Sequence, residues 1–252
     1  MLPTITHPLT DLMAERIRQW EQHGDRLVIF LACYALMTQN MLQAIPAGRF
    51  QDPAWVTELI HKFANYYFVS LAAYERGDLP VPAVWQMAHD ETRNPKTPVV
   101  AHLLLGVNAH INYDLVLVMV DMLRPTWPSL TPAQRQLRHQ DYWLVNTIIG
   151  ETIDTVQENV VNRYSPVMDP VDRLLGPLDE WCTARLIAHW RADVWQHAVA
   201  MMEAPDKAAR QKLRQAVEVQ ALRRARLLCE GGETGARVFG YPLHWLQRLN
   251  LV

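Results

Sequence analysis

The side chains best suited to chemistry sit in His102-Leu-Leu-Leu-Gly106-Val-Asn108-Ala-His110-Ile-Asn112-Tyr113-Asp114-Leu115. His110 and Asp114 are four residues apart, the spacing at which a helix puts two side chains on one face. An imidazole and a carboxylate so placed can share a hydrogen bond that sets the histidine tautomer, or bind one metal ion together. His102 and Tyr113 fall on the same side; Asn108 and Asn112 lie on another. The Asn pair can then tie neighbouring backbones together while the His–Asp pair faces a cavity. All these groups interrupt an apolar run that extends from Val99 to Leu123. Buried polar groups are costly unless each is partnered, so this concentration of them needs a reason.

Two other helix faces could meet this one. Asn146, Gly150, Asp154 and Gln157 share one face; Trp181, Arg185, His189, Ala192 and Gln196 share the other. In the combined reading His110 is a general base or metal ligand. Asp114 is its orienting partner or a second ligand, and Asp154 is a third. Asn146 anchors substrate or water. Arg185 closes the site by pairing with Asp114 or Asp154, while His102, Asn108, Asn112, Tyr113 and His189 line the substrate. The reading gives a small-molecule enzyme acting on a largely apolar substrate. Metal-assisted hydrolysis with one divalent ion comes first, and proton-transfer chemistry is also compatible. The alternative is a non-catalytic protein that binds an apolar molecule, its polar network purely structural. Plainer explanations stand beside each feature: a buried histidine is usually a satisfied core residue, and aromatic groups are usually core. The Arg223, Arg224 and Arg226 cluster reads as a solvated face.

The elements that must position these groups are helical. Apolar residues recur at three- and four-residue steps and clear alternating strand patterns are absent. Helices are expected from Thr10 to Gly24, from Asp25 through Leu42, and from Asp52-Pro53 to Gly77, with a short one around Trp85. The signature helix should run from Val99 to about Arg124. The next should run from Thr131-Pro132 to Tyr164, with a break near Arg138 to Gln140. After a connector carrying Pro166, Pro170 and Pro177 come Leu178 to Met202 and Lys207 to Glu230, the latter stopped by Gly231-Gly232, and a last turn after Tyr241. Gly inside a helix costs about 1 kcal/mol against Ala, so Gly106 and Gly150 point to a close crossing of their two helices. The expected fold is an all-α, single-domain multi-helix bundle around a central buried helix. Residues 1–50 form N-terminal helices, 50–202 the core, and 203–252 a C-terminal helix and tail.

Composition narrows the field. The chain has 252 residues, 50% hydrophobic and 20% charged, with a net charge of -2, which is a globular balance with no electrostatic case for nucleic acid. Cys33, Cys182 and Cys229 are an odd, widely spaced set, which points to free thiols and a cytoplasmic setting. The polar interruptions of Val99 to Leu123 argue for a buried helix and against a membrane span. Oligomeric state is left open. There is no GxSxG elbow, Walker A loop, GxGxxG, HExxH, CxxC or DDxxD, and no paired ExxH.

Asn108-Ala-His110-Ile-Asn112-Tyr-Asp114-Leu115, preceded by His102 and Gly106, resembles the hallmark of domain of unknown function family 5995. Three further segments look like its other landmarks: Phe63-Ala-Asn65-Tyr-Tyr67-Phe68, Asp141-Tyr142-Trp-Leu-Val-Asn146, and Ala184-Arg185 to Trp190. The similarity spans roughly Phe50 to Met202. The resemblance implies a helical, bacterial-type protein and brings no activity with it.

Overall fold

The computed structural model describes residues 8–77, 79–164 and 180–238. The Pro-rich connector and the turn after Tyr241 lie outside the described residues, as does the side chain of Trp181. The fold is all-α, with no strand among the described residues. Its helices are α1 (Pro8–His23), α2 (Val28–Ala44), α3 (Pro53–Arg76), α4 (Ala83–Glu91), α5 (Val99–Leu123), α6 (Pro132–Val156), α7 (Glu180–Met202) and α8 (Lys207–Val238). A short 3₁₀ turn, Trp127–Ser129, joins α5 to α6. Helix α6 continues through a π turn, Gln157–Val161, to Tyr164.

Local chemistry explains several boundaries. Asp52 caps α3 by accepting from the Trp55 N–H, Pro53 occupies the first turn, and Gly77 ends the helix with φ of 71°. Asp141 of α6 reaches back to the same corner. Its two carboxylate oxygens accept the backbone N–H groups of Gln51 and Asp52, each at 2.8 Å. Two expected boundaries differ. α6 shows no break at Arg138 to Gln140; its irregularity comes later, in the π turn. α8 runs through Gly231-Gly232 to Val238, because glycine lowers helix propensity without preventing helix.

Helix α5 is the centre of the molecule. It is long and apolar enough to cross a bilayer, with mean hydropathy of 1.6, yet 94% of its most apolar stretch is buried within the protein. Helices α2, α3, α4, α7 and α8 pack around it, and α1 and α6 form an outer layer against α2 and α7. The expected crossing of Gly106 on Gly150 does not occur. α2 takes the place against α5 that was assigned to α6. A Cβ on Gly106 would lie 2.4 Å from the Phe30 ring of α2, whereas a Cβ on Gly150 would meet nothing within 4 Å. Gly106 is the point where an aromatic side chain rests on the α5 backbone.

The two glycines should therefore respond oppositely. Gly106→Ala should cost about 1–3 kcal/mol through overpacking against Phe30. Gly150→Ala should gain up to about 1 kcal/mol from helix propensity. Urea denaturation of both variants checks the pair, and equal effects would contradict this packing.

Candidate functional site

The middle of α5 is a π turn, His110–Leu115, with all six residues buried. The widened turn interrupts the regular i→i−4 ladder and re-aims the side chains it carries; such turns are frequent at functional sites. Within it His110 Nδ1 lies 3.0 Å from Asp114 Oδ2. The same oxygen accepts the Trp85 Nε1–H of α4 at 2.8 Å. Trp85 can only donate, so Oδ2 accepts from it; with the carboxyl ionised, Oδ2 accepts from Nδ1–H as well, which puts the imidazole proton on Nδ1. His110 Nε2 then carries the lone pair. It is buried and has no hydrogen-bond partner in the protein.

An aromatic cage fixes the ring. Phe63 stacks on it with centroids 3.5 Å apart and planes 5° from parallel. Tyr34 meets it edge-on at 4.5 Å, and Phe30, Tyr67 and Trp85 complete the surround. Burial holds His110 well below the ordinary imidazole range. Burial also pushes Asp114 well above the usual carboxylate range, opposed by the Trp85 N–H. Both shifts disfavour charge, as expected for groups enclosed by rings.

His110 forms part of the wall of an apolar cavity of about 130 Å³ between α2, α3, α5, α6 and α7. An apolar cavity of ~150 Å³ is enough to admit benzene. The wall is made chiefly of aromatic, aliphatic and methionine side chains, Phe63, Met37, Leu59 and Ile187 among them. Its polar atoms are few. The Tyr34 and Thr38 hydroxyls are buried close to one another, and His110 Nε2 is buried with no hydrogen-bond partner. Arg191 is a further polar member of the wall. Cys33 also lines it, but burial pushes its thiol up to about 12, which leaves it inert as a nucleophile.

The other sequence candidates divide sharply. Asn108 and Asn112 are committed to packing. Asn112 Nδ2 donates to Asn108 Oδ1, Asn108 Nδ2 donates to the Ala221 carbonyl, and Arg224 Nη1 donates to Asn112 Oδ1. Arg224 also pairs with Asp193 at 2.6 Å. It is buried, which corrects the reading of its cluster as a wholly solvated face; Arg223 and Arg226 are exposed. Tyr113 is buried beside Arg214 on a different side of α5 from the cavity. His189 lies near the surface, 3.9 Å from Asp193. His102 is buried and sits in a separate small pocket with Arg26 and His89.

Arg185 and Asp154 are exposed, and Asp114 is instead held by His110 and Trp85, so the expected closure by Arg185 does not form on Asp114. Among the described residues no three His, Cys, Asp or Glu side chains are grouped as metal ligands, which separates Asp154 from the proposed trio with His110 and Asp114. Asn146 stands behind the cavity wall, its Oδ1 accepting from Arg191 Nε at 2.6 Å.

Sequence reasoning missed Arg191, Thr38, Tyr34 and the Trp85 hydrogen bond. A signal for Arg191 was present: it belongs to a stripe of Ile187, Val194, Ala198 and Met201 at helical spacing, all buried. The face chosen instead, through Arg185, His189 and Gln196, is the outer one.

Acid should destabilise the fold through its buried histidines. Burial pushes His89 and His102 down to about 4, and His110 is shifted the same way. The unfolded chain takes up protons on these rings near their ordinary value of 6.5, while the folded chain resists. Their contribution is thus complete above that pH and is lost as pH falls below it. Asp114, raised by burial, acts in the opposite sense. Denaturation series from about pH 7.5 to about pH 4.5 should show falling stability, and His102→Leu should flatten part of the slope. A flat profile in the unmodified protein would refute this.

No curated protein and no solved structure matches the chain. A family model does, described as "Family of unknown function (DUF5995)", over residues 7–231. The match extends past Phe50 to Met202 on both sides, and so takes in Phe30 and Tyr34 of α2 and Arg224 of α8, which build the cage and the asparagine network. With most of its length and all of its described site inside that match, the chain belongs to the family of unknown function DUF5995.

Proposed function

We propose that the protein is an enzyme that binds a small apolar molecule in the cavity beside His110 and moves a proton on it, with His110 Nε2 as the base. One observation carries the reading: Nε2 is a buried, unpartnered nitrogen in the wall of an apolar cavity, while Nδ1 is held by Asp114. A neutral imidazole with its proton fixed on the far nitrogen is the form a general base requires. Asp114 orients the ring and stabilises the imidazolium that forms on proton uptake; Trp85 keeps that carboxyl in place. With one imidazole and one carboxyl at the centre, the geometry favours proton transfer over the metal-assisted branch. An odd, widely spaced set of three cysteines, with Cys33 buried as a thiol, supports a cytoplasmic setting.

A second reading is favoured by the cage itself. Phe63 and Tyr34 clamp the imidazole so closely that the His–Asp pair also serves as a packing unit. In that case the cavity binds an apolar molecule without transforming it.

Asp114→Asn separates the two. The amide oxygen can still accept from Trp85 and His110, and the cost of burying a carboxylate disappears, so its melting temperature should match or exceed that of the parent. Its rate on small apolar esters and carbonyl compounds in deuterium oxide, followed by NMR as hydrolysis or proton exchange, should fall by roughly 10²- to 10⁴-fold. His110→Ala should lose the activity as well, and should cost about 1–3 kcal/mol from the buried partner it strands. Compounds that bind to parent and variants alike with no turnover would establish the binding-protein reading instead.

A further inference from the structure

Arg191 does not fit a purely apolar cavity. It is 4% exposed, and burial lowers its hold on a proton. Its Nε donates to Asn146 Oδ1 at 2.6 Å, and its Nη2 donates to the Tyr142 carbonyl at 2.7 Å. The guanidinium lies 4.3 Å from the centroid of the Tyr142 ring. All these partners are neutral. Among the described residues no carboxylate pairs with it, in contrast to Arg224, whose charge is met by Asp193. A buried guanidinium is ordinarily completed by an anion. Here the protein holds the group rigidly from behind and leaves its charge uncompensated, in the wall of the cavity that also contains His110.

The donors that remain have a particular shape. A guanidinium has five N–H groups. Two are used, one on Nε and one on Nη2. Nη1 keeps both of its N–H groups and Nη2 one, all in the guanidinium plane, which is the geometry that suits the oxygens of a carboxylate. The rest of the wall is hydrocarbon and aromatic, and the volume of about 130 Å³ suits a body near the size of one benzene ring.

We propose that the molecule bound in this cavity is a small apolar carboxylic acid, held as its carboxylate by Arg191, with its hydrocarbon body against Phe63, Leu59 and Ile187. The proposal rests on the cavity being a binding site. It adds the chemical class of the ligand. Asn146 and Tyr142 are positioning residues, since each acts by fixing the guanidinium.

The test uses the full chain and two matched pairs of probes: benzoate with benzyl alcohol, and hexanoate with hexanol, titrated by calorimetry near neutral pH. The neutral member of each pair reads the cavity, and the difference within a pair reads Arg191. The carboxylates should bind roughly ten- to a hundredfold more tightly than the alcohols, the range of a charge-assisted hydrogen bond. Arg191→Met, which keeps most of the volume, should erase that preference and keep alcohol binding. Arg191→Lys should retain only part of it. Alcohols binding as well as carboxylates to the unmodified protein would overturn the carboxylate assignment and leave the cavity reading standing. Failure of all four probes to bind would overturn both. The comparison on the unmodified chain decides the matter even if Arg191→Met does not fold.

Discussion

An apolar helix that carries polar side chains through the middle of a protein must be met on every side by partners of the right kind. That constraint organises this molecule. Apart from Asp121 near its end, helix α5 exposes no polar residue, so its other polar groups are satisfied by another helix or left facing an internal space. Asn108 and Asn112 use the first solution: α8 supplies Arg224 and the Ala221 carbonyl, and α7 supplies Asp193. His110 and Asp114 use it only in part. Trp85 completes Asp114, whereas the outer nitrogen of His110 has no partner in the protein. Different sides of the same stretch of helix thus carry a closed network that fixes helix register and an open one that faces a cavity.

The cage around His110 depends on the same helix in a different way. Phe30 reaches the centre only because Gly106 has no side chain, and from there it contacts Tyr34, Tyr67, Trp85 and His110. The cost of a glycine within a helix is offset by the packing of a large ring, which buries far more apolar surface than a methyl group would. Enclosure by rings also excludes the water that would solvate a charged imidazole, which favours the neutral ring. Packing and acid–base character at this point have one cause.

Two buried arginines illustrate how context sets the role of one residue type. Arg224 is neutralised and hydrogen-bonded on both of its terminal nitrogens, and it locks α5, α7 and α8 together. Arg191 is held by neutral oxygens and keeps its charge. The same physics that makes the first a fastener makes the second receptive to an anion.

Much of the architecture was written in local pattern. The helices from Asp52-Pro53 to Gly77 and from Val99 to Leu123 are specified by cap, proline, glycine and dominant apolar content, and apolar residues on every side of the second demand that it be buried. The four-residue spacing of His110 and Asp114 likewise determined that the two would meet, since helix geometry alone brings them together. What the sequence could not decide was which faces of separate helices would oppose one another. Asn146, Asp154 and Arg185 were assigned to a site by type, but Asp154 and Arg185 face water, and Arg191, in the apolar stripe of α7, takes the buried place. Gly106 and Gly150 looked alike in sequence, and only packing distinguishes a glycine pressed against Phe30 from one beside open space. The reason is physical. Periodicity is a property of one helix and is set by its own backbone. The rotation of that helix against its neighbours is set by the sum of long-range contacts, which no single segment contains.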